Sequence, residues 1–202
     1  MIIVIDYGAG NTANVLRALE KLQVKAELSG DKDKILAADG LILPGVGAFP
    51  AAMAELERRD LILAIKKAVS EGTPLLGICL GMQLLAEKSL EHSETKGLGF
   101  IPGVCRKIPP EKGLPVPHMG WNDLILKQAT PLTAGLPNQS VYFVHSYFTD
   151  VPAAYIDMTA AYSVEIPAMI HKNNVYGAQF HPEKSGAVGL KLLEKFVSLC
   201  KR

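Results

Sequence analysis

The sequence predicts an α/β fold, a doubly wound and mostly parallel sheet with flanking helices plus a smaller antiparallel β portion. In the first half of the chain, short apolar runs alternate with segments of helical spacing. The runs at 2–5, 41–43 and 75–78 lack a polar face, as expected of strands that are covered on both sides. Strands that alternate with helices form parallel sheets, because each crossover helix returns the chain to the same end of the sheet.

The segments between these strands carry helix and turn signals in order. A helix is expected over 15–22, where apolar residues recur on one face, and a second strand over 24–28. The next helical pattern runs over 61–69 and is stopped by Gly-Thr-Pro at 72–74. The strand at 75–78 is followed by a helix over 82–87. These elements complete the alternation that defines the fold class.

The second half of the chain has a different character. Residues 89–123 are rich in glycine and proline, which predicts loops. A final helix carries apolar residues from Leu190 to Cys200 on one face. The last two strands of this half form a β-hairpin with its turn at 171–174. The strands expected here are 124–126, 141–144, 168–170 and 175–180.

Length, charge and composition exclude several classes of function. The 202 residues fit one domain, 1–202, and the net charge of +1 favours neither nucleic acid nor an anionic membrane surface. No apolar run approaches the roughly 18 residues of a membrane span, and the opening residues carry no targeting signal, so we expect a cytoplasmic protein. The 3 cysteines are widely spaced, which predicts neither a disulfide framework nor a metal site.

A candidate nucleophile lies at Gly77-Ile78-Cys79-Leu80-Gly81. The segment has the glycine-x-nucleophile-x-glycine pattern, with a buried strand before it and a helix after it. Such a turn is sharp, and its glycines let strand and helix approach closely. Cys79 at a helix N-terminus is favoured as a thiolate, and the Leu80 N–H can donate to an oxyanion. The alternative is a small buried cysteine in a glycine-rich turn.

A candidate general base follows the strand at 175–180. Pro182 favours an extended backbone at His181, and residues i and i+2 of an extended chain point to the same side. Glu183 can therefore orient His181 as the third member of a catalytic triad. The chain order Cys, His, Glu differs from that of the α/β-hydrolases and argues against an esterase. Alone, this segment also fits a structural histidine before a turn.

The loop Pro44-Gly45-Val46-Gly47 offers a second oxyanion donor. It follows the strand at 41–43, on the sheet edge where Cys79 is expected. Glycines on both sides of Val46 allow a peptide N–H, of Val46 or Gly47, to turn toward the site. An ordinary strand-ending turn is the alternative.

A competing signal lies at Gly8-Ala9-Gly10-Asn11-Thr12-Ala13. It matches the relaxed dinucleotide-binding fingerprint after the first strand, with Glu27 near the acidic position. A nucleotide-binding module is therefore an alternative of another class. It does not account for the segments around Cys79 and His181.

Segments spread over nearly the whole chain carry a family resemblance. They are Asp6-Tyr7-Gly8-Ala9-Gly10-Asn11, Pro44-Gly45-Val46-Gly47-Ala48-Phe49, Gly77-Ile78-Cys79-Leu80-Gly81-Met82-Gln83, Pro117-His118-Met119-Gly120-Trp121-Asn122, His145-Ser146-Tyr147 and Gln179-Phe180-His181-Pro182-Glu183-Lys184-Ser185. With them the chain resembles the class I (triad-type) glutamine amidotransferases, which have a three-layer, flavodoxin-like fold. The segments at 6–11, 44–49 and 117–122 are similar to the glutaminase subunits of histidine biosynthesis. The glutaminase of pyridoxal phosphate synthase is an alternative, but it carries a Gly-Gly-Glu type loop at the position of 44–47.

The resemblance implies a cofactor-free, metal-free hydrolysis of glutamine. Cys79 attacks the side-chain amide, His181 protonates the departing ammonia, and Glu183 supports His181. A γ-glutamyl thioester forms and water releases glutamate. The oxyanion donors implied are at Val46, Gly47 and Leu80. The positions that match glutamine-binding residues are Gly47, Gln83, His145, Ser146 and Tyr147.

The resemblance also implies a protein partner. Such subunits form a heterodimer with a (β/α)₈-barrel cyclase, which uses the ammonia to make imidazole glycerol phosphate and AICAR. Free ammonia would be protonated in water, so a sealed interface preserves it as a nucleophile. The positions that match interface or gating residues are Asn11, Trp121, Asn122, Tyr142 and Lys184.

Overall fold

A computed structural model of the chain describes residues 1–200. Its strands are β1 (Ile2–Ile5), β2 (Ala26–Ser29), β3 (Gly40–Leu43), β4 (Leu75–Ile78), β5 (Lys88–Ser89), β6 (Thr95–Lys96), β7 (Val104–Lys107), β8 (His118–Asp123), β9 (Ile125–Leu126), β10 (Ser140–His145), β11 (Tyr147–Asp150), β12 (Ile156–Ala161), β13 (Glu165–Lys172) and β14 (Val175–Ala178). The helices are α1 (Thr12–Lys21), α2 (Lys32–Leu36), α3 (Phe49–Arg58), α4 (Ile62–Ser70), α5 (Leu80–Leu84) and α6 (Gly186–Cys200), with 3-10 helices at Ala153–Tyr155 and Pro182–Lys184. Within residues 1–200, no helix has both the length and the apolarity that crossing a membrane requires.

The centre of the molecule is an eight-stranded sheet in the order β2-β1-β3-β4-β14-β13-β12-β9. The first five strands run parallel, in the order of a flavodoxin-like doubly wound sheet. The strands β13, β12 and β9 extend it in antiparallel pairing. Smaller sheets pair β10 with β8 and join β11, β7, β5 and β6. The predicted fold class is confirmed.

The core lies on both faces of this sheet. Ile3 and Ile5 of β1 pack toward α2, α3 and α4, whereas Ile2 and Val4 pack toward α1 and α6. All four side chains are buried. Because neighbouring residues of a strand point to opposite faces, a strand covered by helices on both sides has no polar face. This explains the uninterrupted apolar runs of the parallel strands.

The prediction that residues 89–123 are rich in loops is correct for most of the segment but misses its strands. The segment contains β6, β7 and β8, and β8 pairs over six residues with β10. The side chains of β8 alternate in burial, from buried His118 to exposed Met119. Its strand geometry depends on pairing with a partner far along the chain, which the local glycines and prolines conceal. The helices α2 and α3 and the strands β5, β11 and β12 were also absent from the prediction.

Two predicted boundaries move in ways that have physical reasons. In the hairpin, Lys172 pairs with Val175, so the turn is only Asn173-Asn174, and Asn173 adopts a φ of 55°. Asparagine tolerates this left-handed conformation, which two-residue hairpin turns require. The helix expected over 82–87 instead begins at Leu80, directly after Cys79.

The turn between β4 and α5 holds Cys79 in a strained conformation, with φ 54° and ψ −110°. A Cβ on Gly81 would lie 1.8 Å from the Leu43 carbonyl oxygen, and a Cβ on Gly77 would lie 2.5 Å from the Gly81 carbonyl oxygen. Both glycines are therefore required for strand and helix to approach each other. This is the geometry that the glycine spacing predicted.

Gly81→Ala is expected to lower the free energy of unfolding by about 3 kcal/mol or more, because backbone must move to admit the methyl group. The matched control is Gly99→Ala, at an exposed glycine with φ 71° and open space around its Cα. Gly99→Ala should lower the free energy of unfolding by only about 1 kcal/mol, because alanine there has an unfavourable left-handed backbone but meets no neighbouring atom. Denaturant unfolding measures both, and equal losses would contradict the close approach at Gly81.

Candidate active site

The candidate residues meet at one edge of the sheet. The strands β3, β4 and β14 are neighbours and parallel, so the segments after their carboxyl ends lie side by side. The loop 44–47 follows β3, Cys79 follows β4, and His181 is the third residue after β14. The Cys79 N–H donates to the Ala178 carbonyl at 2.8 Å, which ties the nucleophile turn to the end of β14.

His181 and Glu183 form a buried pair. The His181 Nδ1–H donates to Glu183 Oε1 at 2.8 Å, and the exposed fractions of the two side chains are 2% and 1%. His181 is extended, as Pro182 predicted, and the 3-10 helix that begins at Pro182 brings Glu183 back beside it. The Ser185 hydroxyl fixes this turn by donating to the His181 carbonyl at 2.7 Å.

The charge of His181 is set by its neighbours. Burial alone would lower its pKa, but the interactions with Cys79 and Glu183 outweigh burial and raise the pKa to about 9. Its Nε2 is buried and makes no hydrogen bond of standard geometry within residues 1–200. The Nε2–H of the imidazolium is therefore available to a ligand in the cavity that His181 lines.

The Cys79 sulfur lies between two polar groups. The Val144 carbonyl and the side-chain Nε2 of Gln179 are each 3.8 Å from Sγ. Gln179 is fully buried and is oriented by Gln83, whose Nε2 donates to its Oε1 at 3.2 Å. The Gln83 Nε2 also donates to the Tyr147 carbonyl at 2.8 Å. The sulfur thus lies within a network that fixes its surroundings.

A cavity of about 350 Å³ opens on these residues, a size suited to a small ligand. It is lined by Cys79 and His181 of the triad, and every residue predicted to bind glutamine or to form the oxyanion hole also lines it. Those residues are Val46, Gly47, Leu80, Gln83, His145, Ser146 and Tyr147. Their individual roles remain predictions.

The loop 44–47 packs directly on the nucleophile turn. A Cβ on Gly45 would lie 2.8 Å from Leu80 Cβ and also 2.8 Å from the Tyr7 hydroxyl. That buried hydroxyl donates to the Pro44 carbonyl at 2.8 Å and fixes the start of the loop. Val46, by contrast, is 46% exposed. The loop is anchored at its first residues and open at Val46.

Several cavity residues were missed by the sequence analysis, and Glu91 is the most informative. Its side chain is buried, lines the cavity and accepts the Phe49 N–H at 2.7 Å, in the first turn of α3. A carboxylate is favoured at a helix N-terminus, which explains how it is held there. Glu91 lies in a loop without periodic pattern, so no local signal identified it. Pro117, Val144 and Gln179 were likewise given no role and belong to the site or its wall, whereas Lys184, predicted at the interface, also lines the cavity.

Most of the predicted interface residues form one cluster near the cavity. Trp121 is 59% exposed and lies edge-on to Tyr142, with ring centroids 6.1 Å apart. The Lys184 ammonium lies 5.7 Å from the centre of the Tyr142 ring. Asn122 follows Trp121 on β8 and bonds to His118. Asn11 lies at the start of α1, where its side chain makes no capping hydrogen bond.

The glycines of the dinucleotide-like segment have structural explanations. Gly8 and Gly10 have φ values of 84° and 113°, which the turn from β1 to α1 requires. A Cβ on Gly10 would lie 3.3 Å from Pro44 Cβ, so this turn packs on the loop 44–47. Glu27 forms an ion pair with Lys34. No group of three or more potential metal ligands occurs in the part of the chain that the structure describes.

Comparison with known proteins agrees with this geometry. The sequence model of the family "Glutamine amidotransferase class-I" matches residues 3–199. The chain belongs to the class-I glutamine amidotransferase family. The HisH subunit of imidazole glycerol phosphate synthase from Streptococcus mutans is 74% identical over 200 residues, which cover 99% of this chain and 100% of the relative. The HisH subunit from Listeria innocua is 55% identical over 196 residues, covering 97% and 94%.

Solved structures show the same fold at much lower identity. A glutamine amidotransferase matches with a TM-score of 0.79 and 18% identity, covering 100% of both chains. A structure of PurLQS from Thermotoga maritima matches with a TM-score of 0.76 and 22% identity, covering 98% of this chain and 97% of the other. The resemblance recognised in the sequence is confirmed, and the HisH relatives favour it over the nucleotide-binding alternative. The amidotransferase is thus an enzyme.

The pKa of His181 leads to a testable dependence of stability on pH. Because the pKa rises from 6.5 to about 9 on folding, the charged form stabilises the fold. This contribution is complete below pH 6.5 and is lost as the pH rises through about 9. The free energy of unfolding of the wild type should therefore fall over this window more steeply than that of His181→Asn. Denaturant titrations at several pH values measure the free energy of unfolding of both proteins.

The control for this experiment is His92→Asn. His92 is exposed in a bend with φ 60°, a conformation that asparagine tolerates. Its pH profile should run parallel to that of the wild type. A parallel profile for His181→Asn would mean that Cys79 and Glu183 do not stabilise the imidazolium.

Proposed function

We propose that this chain hydrolyses glutamine to glutamate and ammonia through Cys79, His181 and Glu183, as the glutaminase subunit of imidazole glycerol phosphate synthase in histidine biosynthesis. The observation that carries the proposal is the buried His181–Glu183 pair beside a cysteine that the backbone holds in a left-handed conformation, at the mouth of a cavity of about 350 Å³. The reaction needs no cofactor.

In the first half-reaction the Cys79 thiolate attacks the carbon of the side-chain amide of glutamine. The new carbon–sulfur bond places negative charge on the amide oxygen, and peptide N–H groups of Leu80 and of Val46 or Gly47 stabilise it. His181 gives its Nε2 proton to the amide nitrogen. The carbon–nitrogen bond breaks, ammonia leaves, and a γ-glutamyl thioester remains on Cys79.

In the second half-reaction neutral His181 takes a proton from water. The resulting hydroxide attacks the thioester carbon, and the carbon–sulfur bond breaks to release glutamate and the Cys79 thiolate. His181 is again an imidazolium, held by Glu183 in the tautomer that directs Nε2 to the reacting atoms.

The cavity wall supplies groups that suit an amino-acid substrate. The Glu91 carboxylate, held by the Phe49 N–H, provides negative charge for the α-ammonium group of glutamine. Gln83, Ser146 and Tyr147 offer polar groups for the remainder of the substrate. An amide without an ammonium group would leave the buried Glu91 carboxylate without a cationic partner. The site therefore discriminates against such amides.

The ammonia passes to a partner that we propose is a (β/α)₈-barrel cyclase, which forms imidazole glycerol phosphate and AICAR. The exposed Met119 and Trp121, with the half-buried Tyr142 beside Trp121, support a docking surface for this partner, because aromatic residues and methionine are enriched in protein interfaces. The partner would cover the site and keep the ammonia unprotonated. The unpaired cysteines fit a reducing cytoplasm, where we expect the complex to act.

Substitution of the nucleophile tests the reaction. Cys79→Ala should lower glutamate release by the complex at least about 1,000-fold, because no other group forms the thioester. Glutamate release is measured with the barrel partner and its nucleotide substrate present. The matched control is Cys200→Ala, whose sulfur contacts Gly40 at the amino end of β3, at the opposite edge of the sheet. Its turnover should equal that of the wild type, and activity that survives Cys79→Ala would remove Cys79 from the mechanism.

Substitution of an exposed aromatic residue tests the partner surface. Trp121→Ala should weaken binding of the barrel partner by about 2 kcal/mol, or roughly thirtyfold in Kd, as expected of a central aromatic anchor. The matched control is Leu63→Ala on α4, another exposed apolar residue, which does not line the cavity. Titration calorimetry measures both affinities. A partner that binds Trp121→Ala and wild type equally tightly would place the interface elsewhere.

A further inference from the structure

A row of three hydrogen bonds connects the predicted partner surface to the cavity. Asn122 Nδ2 lies 3.2 Å from His118 Nε2, and His118 Nδ1 lies 3.1 Å from His145 Nε2. His145 Nδ1 lies 2.8 Å from the Tyr147 carbonyl oxygen. Both imidazoles are buried. The direction of each bond depends on where the two rings carry their hydrogens.

The Tyr147 end of the row fixes His145. A carbonyl oxygen can only accept, so His145 must carry a hydrogen on Nδ1. The same carbonyl accepts the Nε2–H of Gln83 at 2.8 Å. In the neutral ring, Nε2 of His145 is then an acceptor, and it faces Nδ1 of His118.

The Asn122 end fixes His118 independently. The Asn122 Nδ2 donates to the Ala161 carbonyl at 2.8 Å, and its Oδ1 accepts the Asp123 N–H at 2.8 Å. These two backbone groups determine which end of the amide is nitrogen, so His118 Nε2 must accept from it. Neutral His118 therefore carries its hydrogen on Nδ1 and donates to His145 Nε2. The tautomers that the Tyr147 carbonyl and the Asn122 amide require are therefore compatible with each other.

The surroundings favour two neutral rings. His118 stacks between Phe143 and Tyr162, with centroid distances of 4.7 and 4.1 Å. A second hydrogen on His145 would point at the hydrogen of His118, and a second hydrogen on His118 would point at the amide hydrogens of Asn122. Burial lowers the pKa of His118 to about 4 and that of His145 to about 3.

We propose that His118 is a positioning residue for glutamine binding: it holds His145 in the Nδ1–H tautomer, and His145 holds the Tyr147 carbonyl in the cavity wall. His118 does not line the cavity, so it acts through His145. The Tyr147 carbonyl in turn orients Gln83, which lines the cavity. The tautomer assignment rests on the geometry alone, and the consequence for glutamine rests on the proposed function.

The tautomers are measured directly on the full-length chain with ¹⁵N-labelled histidine, by long-range ¹H–¹⁵N spectra at neutral pH, with and without the barrel partner. The expected result is the Nδ1–H pattern for His118 and for His145. The variant His118→Asn assigns the His118 signal by its loss. An Nε2–H tautomer or a doubly protonated ring at either position would overturn the inference.

Two substitutions of His118 separate positioning from stability. Asparagine places its amide nitrogen where histidine has Nδ1, so His118→Asn keeps the donor to His145, whereas His118→Phe keeps only the stacked ring. In glutamate release by the complex, His118→Phe should raise the KM for glutamine roughly tenfold, since it leaves a buried acceptor unpaired. The value of kcat should stay within about twofold, because the triad is unchanged. His118→Asn should restore KM to within about twofold of the wild type.

The possible failures are distinct. Loss of folded protein lowers the apparent kcat and leaves KM unchanged, so an effect on kcat alone would overturn the positioning role. A His118→Asn variant as impaired in KM as His118→Phe would also overturn it. A wild-type complex that releases no glutamate would instead refute the proposed function, and the consequence for glutamine would fall with it.

Discussion

The constraint on which the rest of the structure depends is the left-handed backbone of Cys79 between β4 and α5. A non-glycine residue in such a conformation costs on the order of 1–3 kcal/mol, which the buried strands around it must offset. The turn forces glycine at 77 and 81, because strand, helix and the end of β3 meet there at backbone contact. It also forces glycine at 45, where the neighbouring loop packs on Leu80. The turn places Cys79 at the edge of the core, where it lines the cavity.

The sheet topology converts this turn into a site. The strands β3, β4 and β14 are neighbours although β14 begins about a hundred residues after β4, and their parallel direction places three loops at one edge. The hydrogen bond from the Cys79 N–H to the Ala178 carbonyl sets the distance between the nucleophile and the segment that carries the base. The strand β10, which pairs with β8, contributes Val144 and His145 to the cavity wall.

The sequence was sufficient for the parts of the site that depend on local geometry. The glycines around Cys79 and the proline after His181 dictate backbone conformation within a few residues, so the nucleophile turn and the His181–Glu183 contact could be predicted. Glu91 could not, because its burial depends on the Phe49 N–H, 42 positions away. The strand β8 was not predicted for the same reason, because its pairing with β10 outweighs the local glycine and proline content. The family resemblance, and not periodicity, identified His145 and Tyr147.

The partners of three neighbouring histidines, and not the residue type, decide their charge. His181 lies beside Glu183 and Cys79, and its interactions with these two residues outweigh burial and favour the imidazolium. His118 and His145 face an amide, a carbonyl and each other, so burial prevails and both stay neutral. The positive charge of His181 lowers the pKa of His145 further. In the proposed mechanism His181 is therefore charged and supplies the proton of the leaving group, while the neutral His118 and His145 each keep their one ring hydrogen within the hydrogen-bond row.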